Sequence, residues 1–273
     1  MKDIQARLLK FAESKCLPYL LERPEFNDYL EKLSFVLVGS VPTGFCNENS
    51  DIDIAIVCNE ETYKSISSNT AWDKGKPSEV YLDNIQLHYY AITFNRIEDR
   101  LKELDDIYLY VYGNCIILKE PNNQYTERFK GLFPYISEVR KQRLEGKLDM
   151  LLRRYRGFKS AFNEIDILMI ARICLELITL CLKTIALLDN VPFDPRKRLF
   201  NMALSGNLGC QLDSKMRQLF CELGNLGQLI NDLDFTNFSF CKKIDEVIQI
   251  ISNEAISQGF RIGLEKPDIR HLE

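Results

Sequence analysis

The stretch Ser34 to Val57, SFVLVGSVPTGFCNENSDIDIAIV, holds the residues best suited to chemistry. An apolar, β-rich run from Phe35 to Val38 stops at Gly39-Ser40. Ten mostly small or polar residues follow, and Asp51-Ile52-Asp53 then opens a second apolar run, Ile54 to Val57. Side chains two apart on a strand share a face, so Asp51 and Asp53 aim together while Ile52 turns the other way. Two carboxylates side by side repel each other unless a cation sits between them. The natural occupant is Mg²⁺, a hard ion that takes carboxylate oxygens and keeps positions for phosphate oxygens. Gly39 lets backbone approach a ligand without a Cβ in the way. Ser40 adds a hydroxyl and an N–H at an expected helix start, where anions are favoured.

The elements that must position these residues come before and after them. Residues 2–33 read as helix in two pieces, broken around Pro18 and Pro24. After the two strands, Glu60 to Ser68 reads as a helix and Ser68 to Ser78 as a polar loop carrying Trp72, the single tryptophan. Glu79–Leu82 and Ile85–Phe94 form an expected strand pair around Asp83-Asn84, a dipeptide suited to a tight turn. Asn95 to Leu104 reads as a helix and Cys115 to Leu118 as a short edge strand closed by Pro121, and from about Asn122 onward every segment is helical. Mixed α/β first and all-α afterwards predicts two domains, divided near 120–140.

Composition narrows the class. The 273 residues are 46% hydrophobic and 27% charged, as in a soluble globular protein. A net charge of −4 argues against gripping long nucleic acid by general electrostatics. The start MKDIQARLLKFAESK has no apolar core of a secretion signal. The most apolar segment, Ile165 to Leu188, is interrupted by Arg172, Glu176 and Lys183, so it predicts a buried helix and no membrane span. Nine cysteines without a CxxC pair predict reduced thiols and a cytoplasmic protein. The two histidines, His88 and His271, lie far apart, which argues against a zinc site.

Val38-Gly39-Ser40, Gly44 within the turn, and Ser50-Asp51-Ile52-Asp53-Ile54 together resemble the signature of the polymerase-β-like nucleotidyltransferase superfamily. The layout is similar to its small bacterial branch with a C-terminal helical domain, the aminoglycoside/lincosamide nucleotidyltransferases. The resemblance implies an α+β protein: a nucleotidyltransferase fold over residues 1–130, with a mixed sheet flanked by helices, and an all-α bundle over 131–273. It implies Mg²⁺-dependent transfer of a nucleoside monophosphate from an NTP such as ATP to a hydroxyl of an antibiotic-like small molecule, releasing pyrophosphate. Asp51 and Asp53 would be the metal ligands, and Gly39, Ser40 and Ser50 would cradle the phosphates. A protein side chain is an alternative acceptor, and a homodimer fits this branch.

The resemblance also implies a third carboxylate on a later strand. On Ile85 to Tyr90, alternation puts Gln86, His88 and Tyr90 on one face. Gln86 is the first choice for the third position and His88 the second; neither is a carboxylate. An amide can orient a metal or a water but cannot act as general base. This departure supports an alternative, a degenerate site that binds nucleotide without turnover as a sensor or assembly module. The resemblance to the small-molecule branch implies as a further alternative a base supplied by the helical domain. Along Ile165–Leu188 the polar residues Arg172, Glu176, Thr179 and Lys183 form one narrow stripe. That stripe reads either as a ladder on the wet face of a core helix or as a cleft wall with Glu176 as base. Arg140, Lys141, Arg143, Arg153, Arg154, Arg156 and Lys159 could hold a triphosphate or could form a solvated basic face. Asn190 to Arg198 reads as a connector leading into a helix with Pro195 in its first turn.

Overall fold

The computed structural model describes residues 2–69, 78–133, 136–163, 167–224, 239–260 and 262. Trp72 and His271 lie outside them, as does most of the expected loop Ser68–Ser78. The chain divides into two compact units, Met1–Ile136 and Ser137–Glu273.

The first unit opens with α1 (Lys2–Phe11), a π-helical turn (Ala12–Cys16), α2 (Leu17–Leu21) and a 3₁₀ stretch (Pro24–Lys32). The expected break at Pro18 is absent. Pro18 sits in the first turn of α2, and the widened turn before it, where Leu17 N–H reaches back to Ala12 O, lets the helix run on. A π turn removes the clash a proline ring would make with the carbonyl one α-turn behind it.

Five strands follow in the spatial order β3-β4-β2-β1-β5. They are β1 (Ser34–Val38), β2 (Ile52–Cys58), β3 (Ser78–Leu82), β4 (Ile85–Thr93) and β5 (Ile116–Lys119), with the short α3 (Ser40–Thr43) between β1 and β2 and α4 (Glu60–Asn69) after β2. β1–β2, β1–β5 and β3–β4 pair antiparallel, whereas β2 and β4 pair in parallel, with Asp53 opposite His88. At the β3–β4 turn, Asp83 and Asn84 both have positive φ (46° and 66°), the tight-turn conformation their side chains tolerate.

Alternation sorts the sheet into two faces. Phe35, Leu37, Ile52, Ile54, Ile56, Leu87 and Tyr89 are buried in one core with Leu8, Ala12, Cys16 and Leu20 of the N-terminal helices. The opposite face carries Asp53, Gln86, His88 and Tyr90. At its far end, α5 (Phe94–Lys102) and α6 (Asp106–Gly113) pack back toward the sheet, the Tyr90 and Tyr112 hydroxyls lying 3.0 Å apart. α6 lies in a stretch the sequence left unassigned; its run Ile-Tyr-Leu-Tyr-Val-Tyr suits a strand equally well. The deciding signal is Asp105, whose carboxylate accepts hydrogen bonds from Ile107 N and Tyr108 N as an N-cap. α7 (Gln124–Phe129) completes the unit.

The second unit consists of α8 (Ser137–Asn163), α9 (Ile167–Leu188), α10 (Leu199–Ala203), α11 (Asn207–Gly224) and α12 (Ser239–Ser257). α10 starts at Leu199, after Arg198 takes a left-handed conformation, so Pro195 belongs to the preceding turn and not to the helix. Among the described residues no helix is long and apolar enough to cross a membrane.

Candidate active site

β1 ends at Val38 and is followed by Gly39, whose φ of +82° and ψ of −140° are readily open only to glycine. The chain turns there into α3, which two contacts hold in place. Gln5 Nε2 donates to Val41 O at 2.8 Å, and Thr43 Oγ1 lies within hydrogen-bond distance of Gly39 O, Ser40 O and the Tyr110 hydroxyl. Gly44, with φ +76°, ends the helix. The loop back to β2 is closed by Ser50, whose Oγ accepts from Asn47 N at 2.9 Å. The Ser50 hydroxyl expected to cradle phosphate thus has a local turn partner.

Asp53 is the only position of β2 that is not buried. A Cβ on Gly39 would meet its carboxylate, so the Gly-Ser corner and the second acid are in direct apposition. Asp51, just before the strand, turns to the same side. The third member is His88: Nδ1 lies 3.2 Å from Asp51 Oδ2 and 3.4 Å from Asp53 Oδ1. One ligand atom from each of these three residues lies within 4.8 Å of the other two.

Gln86, the first choice for this corner, lies two residues earlier on β4 and donates to Glu79 Oε2 at 3.2 Å. The β2–β4 register sets Asp53 opposite His88, which brings the histidine to the acids. A parallel register is fixed by no local turn, so alternation alone could name the face but not the position.

Glu79 of β3 was missed altogether. It stands opposite His88 in the antiparallel pair, with Oε1 3.6 Å from His88 Nε2. A signal was available, because a two-residue turn at Asp83-Asn84 fixes the pairing outward from Leu82–Ile85 and lands Glu79 on His88.

Several of the expected residues of the second unit are engaged within that unit. Glu176 pairs with Arg154 at 2.6 Å and, four residues along its own helix, with Arg172 at 2.9 Å. Arg140 donates to the carbonyls of Leu187 and Leu188 at the end of α9, where cations are favoured. Arg143 is buried and lies over the Phe193 ring; Lys141 and Arg153 pair with Glu145 and Asp149. Lys159 has no described side chain.

A mixed five-stranded sheet flanked by helices, with a Gly-Ser corner facing an Asp-x-Asp pair, is a nucleotidyltransferase fold. Residues 20–143 match the family model described as a nucleotidyltransferase domain. No curated protein matches the chain. A solved structure similar to it is a nucleotidyltransferase-like protein from Exiguobacterium sibiricum 255-15. It has 10% identity and a TM-score of 0.45, and the match covers 85% of this chain and 72% of that one. The matched domain and the acidic cluster fit nucleotidyl transfer.

Proposed function

We propose that the protein transfers a nucleoside monophosphate from an NTP to a hydroxyl of a small molecule, releasing pyrophosphate. The observation that carries this reading is the convergence of Asp51, Asp53 and His88 in front of the Gly39-Ser40 corner, inside the matched domain. The donor set fits a divalent cation. Two carboxylates and a ring nitrogen offer three ligand atoms, and the carboxylates alone would repel. Mg²⁺ is the ion that the carboxylate pair by itself would take. Bound there, such an ion neutralises polyphosphate charge and polarises the phosphoryl group.

The remaining chemistry belongs to the chain's own residues. Gly39 lets the polyphosphate approach backbone, and Ser40 offers it a hydroxyl and an N–H. Asp51 and Asp53 fix where that charge sits, so the acceptor oxygen attacks in line. The bond from the acceptor oxygen to the α-phosphorus forms as the bond from that phosphorus to its bridging oxygen breaks. Pyrophosphate leaves, and the hydroxyl proton passes to water. With no carboxylate at the third corner, this scheme lacks a positioned base, a contribution typically of about 10²–10⁴ in rate.

That third corner also favours one second reading, a site that binds nucleotide without turning it over. Labelled ATP, GTP, CTP and UTP with a divalent ion, scanned for pyrophosphate release over panels of small-molecule and protein acceptors, separates the two. Release that disappears in Asp53→Asn supports transfer, and the labelled product tells a small-molecule acceptor from a protein one. NTP-induced thermal stabilisation that depends on Asp53, with no release on any acceptor, supports the binding module and overturns transfer.

A further inference from the structure

We infer that the ion site of this chain is a mixed nitrogen–oxygen site, with His88 Nδ1 as a ligand and Glu79 as the carboxylate that orients His88, and that it therefore prefers a divalent transition ion to Mg²⁺. This rests on the reading that Asp51 and Asp53 hold a cation.

Nδ1 is the ring atom aimed at both acids, 3.2 Å from one and 3.4 Å from the other. Ligands about 2.1 Å from one metal and at right angles to each other stand roughly 3.0 Å apart, so these separations approach those of neighbouring corners around a single ion. A neutral imidazole carries its proton on one nitrogen and a lone pair on the other. For Nδ1 to ligate, the proton must sit on Nε2.

Nε2 is buried and has no hydrogen-bond partner among the described residues. The carboxylate that faces it is Glu79, with Oε1 3.6 Å away, just beyond bonding distance. Three features direct Glu79 there: it is the cross-strand partner of His88, its other oxygen accepts from Gln86, and its exposed side chain is able to close the remaining distance. A carboxylate behind a histidine behind a metal is an arrangement that fixes the tautomer and raises the basicity of the ligand nitrogen. Gln86 then acts on the carboxylate, not on the ion. Imidazole nitrogen suits the borderline transition ions, whereas Mg²⁺ asks for oxygen ligands and gives up water reluctantly.

The test uses the full chain without nucleotide. Calorimetric titration with Co²⁺ and with Mg²⁺ gives the ratio of the two affinities, and pulsed EPR of the Mn²⁺-loaded chain reports any directly bonded ¹⁴N. The wild type is expected to show ¹⁴N modulation and to bind Co²⁺ at least about 100-fold more tightly than Mg²⁺. Glu79→Gln should weaken Co²⁺ by about 10–100-fold and leave Mg²⁺ nearly unchanged. His88→Asp should abolish the modulation and bring the two ions within about tenfold of each other.

A Co²⁺/Mg²⁺ ratio that is the same in wild type, Glu79→Gln and His88→Asp overturns the inference, as does a wild type without ¹⁴N modulation. Asp53→Asn separates the two levels. If it abolishes ion binding while the ratio ignores His88, only the nitrogen ligand is wrong; if it leaves binding untouched, the carboxylate reading falls as well. Should His88→Asp fail to fold, the wild-type EPR and Glu79→Gln, a change on an exposed edge-strand side chain, decide the matter.

Discussion

A Cβ built on Gly39 would stand 2.5 Å from Oδ2 of Asp53. The backbone at the end of β1 and the carboxylate on β2 therefore occupy adjoining space, and the glycine is required twice, for its positive φ and for that approach. Gly39→Ala should cost about 1–3 kcal/mol in thermal unfolding, because its backbone conformation disfavours any side chain. Asp53 must also swing away, so Co²⁺ affinity measured by calorimetry should fall even where the fold survives.

Asp51→Asn and Asp53→Asn each remove an anionic ligand without changing shape. If several kcal/mol of transition-state stabilisation depends on the held cation, pyrophosphate release should fall by about 10²–10⁴-fold for either variant. Melting temperature should stay level or rise, since one of two neighbouring like charges is gone. Pyrophosphate release and a thermal melt of the same preparation check both halves.

Asp105 accepts from Ile107 N and Tyr108 N at the head of α6. Asp105→Ala should cost about 0.5–2 kcal/mol, the usual loss of an N-cap. The same helix carries Tyr110, next to Thr43, and Tyr112, next to Tyr90. Loosening α6 should therefore also weaken nucleotide binding, measured as a smaller NTP-induced melting shift than in wild type.

In the helical unit, burial pushes the Asp245 carboxyl up to about 6, while the Tyr155 hydroxyl donates to it. The folded state thus holds this proton more tightly than the unfolded chain does. Stability from it is present below about pH 4, the ordinary carboxylate range, and is lost as pH rises through about 6. Compared with Asp245→Asn, the wild type should lose melting temperature between pH 4 and 6 and run parallel above pH 7. Tyr155→Phe should extend the loss to higher pH, because the hydrogen bond that favours the charged form is gone.

Much of the first unit could be read from local rules. Phe35–Val38 and Ile54–Val57 announced β1 and β2 by their apolar runs, and Asp83-Asn84 announced the β3–β4 turn. The shared aim of Asp51 and Asp53 followed from their spacing, and their joint site with Gly39 from the family resemblance. What escaped at the acids depends on a pairing between distant segments. His88 reaches the acids through a parallel register that no turn specifies; Glu79 faces His88 through the local β3–β4 turn, and its place at the site follows only once His88 is there. α6 escaped because isoleucine, tyrosine and valine favour strands, and its cap is a single aspartate. Pro18 misled because a π turn can absorb a proline that would break a regular helix.

The parallel pairing of β2 with β4 bears on how the molecule comes into being. β1 with β2, and β3 with β4, can each zip up as neighbouring segments, but the β2–β4 contact requires closing a long connection between them. Non-local pairings of this kind are paid for late in folding. In a stopped-flow refolding experiment, capture of Co²⁺ should coincide with the slowest phase, after most strand signal has already returned.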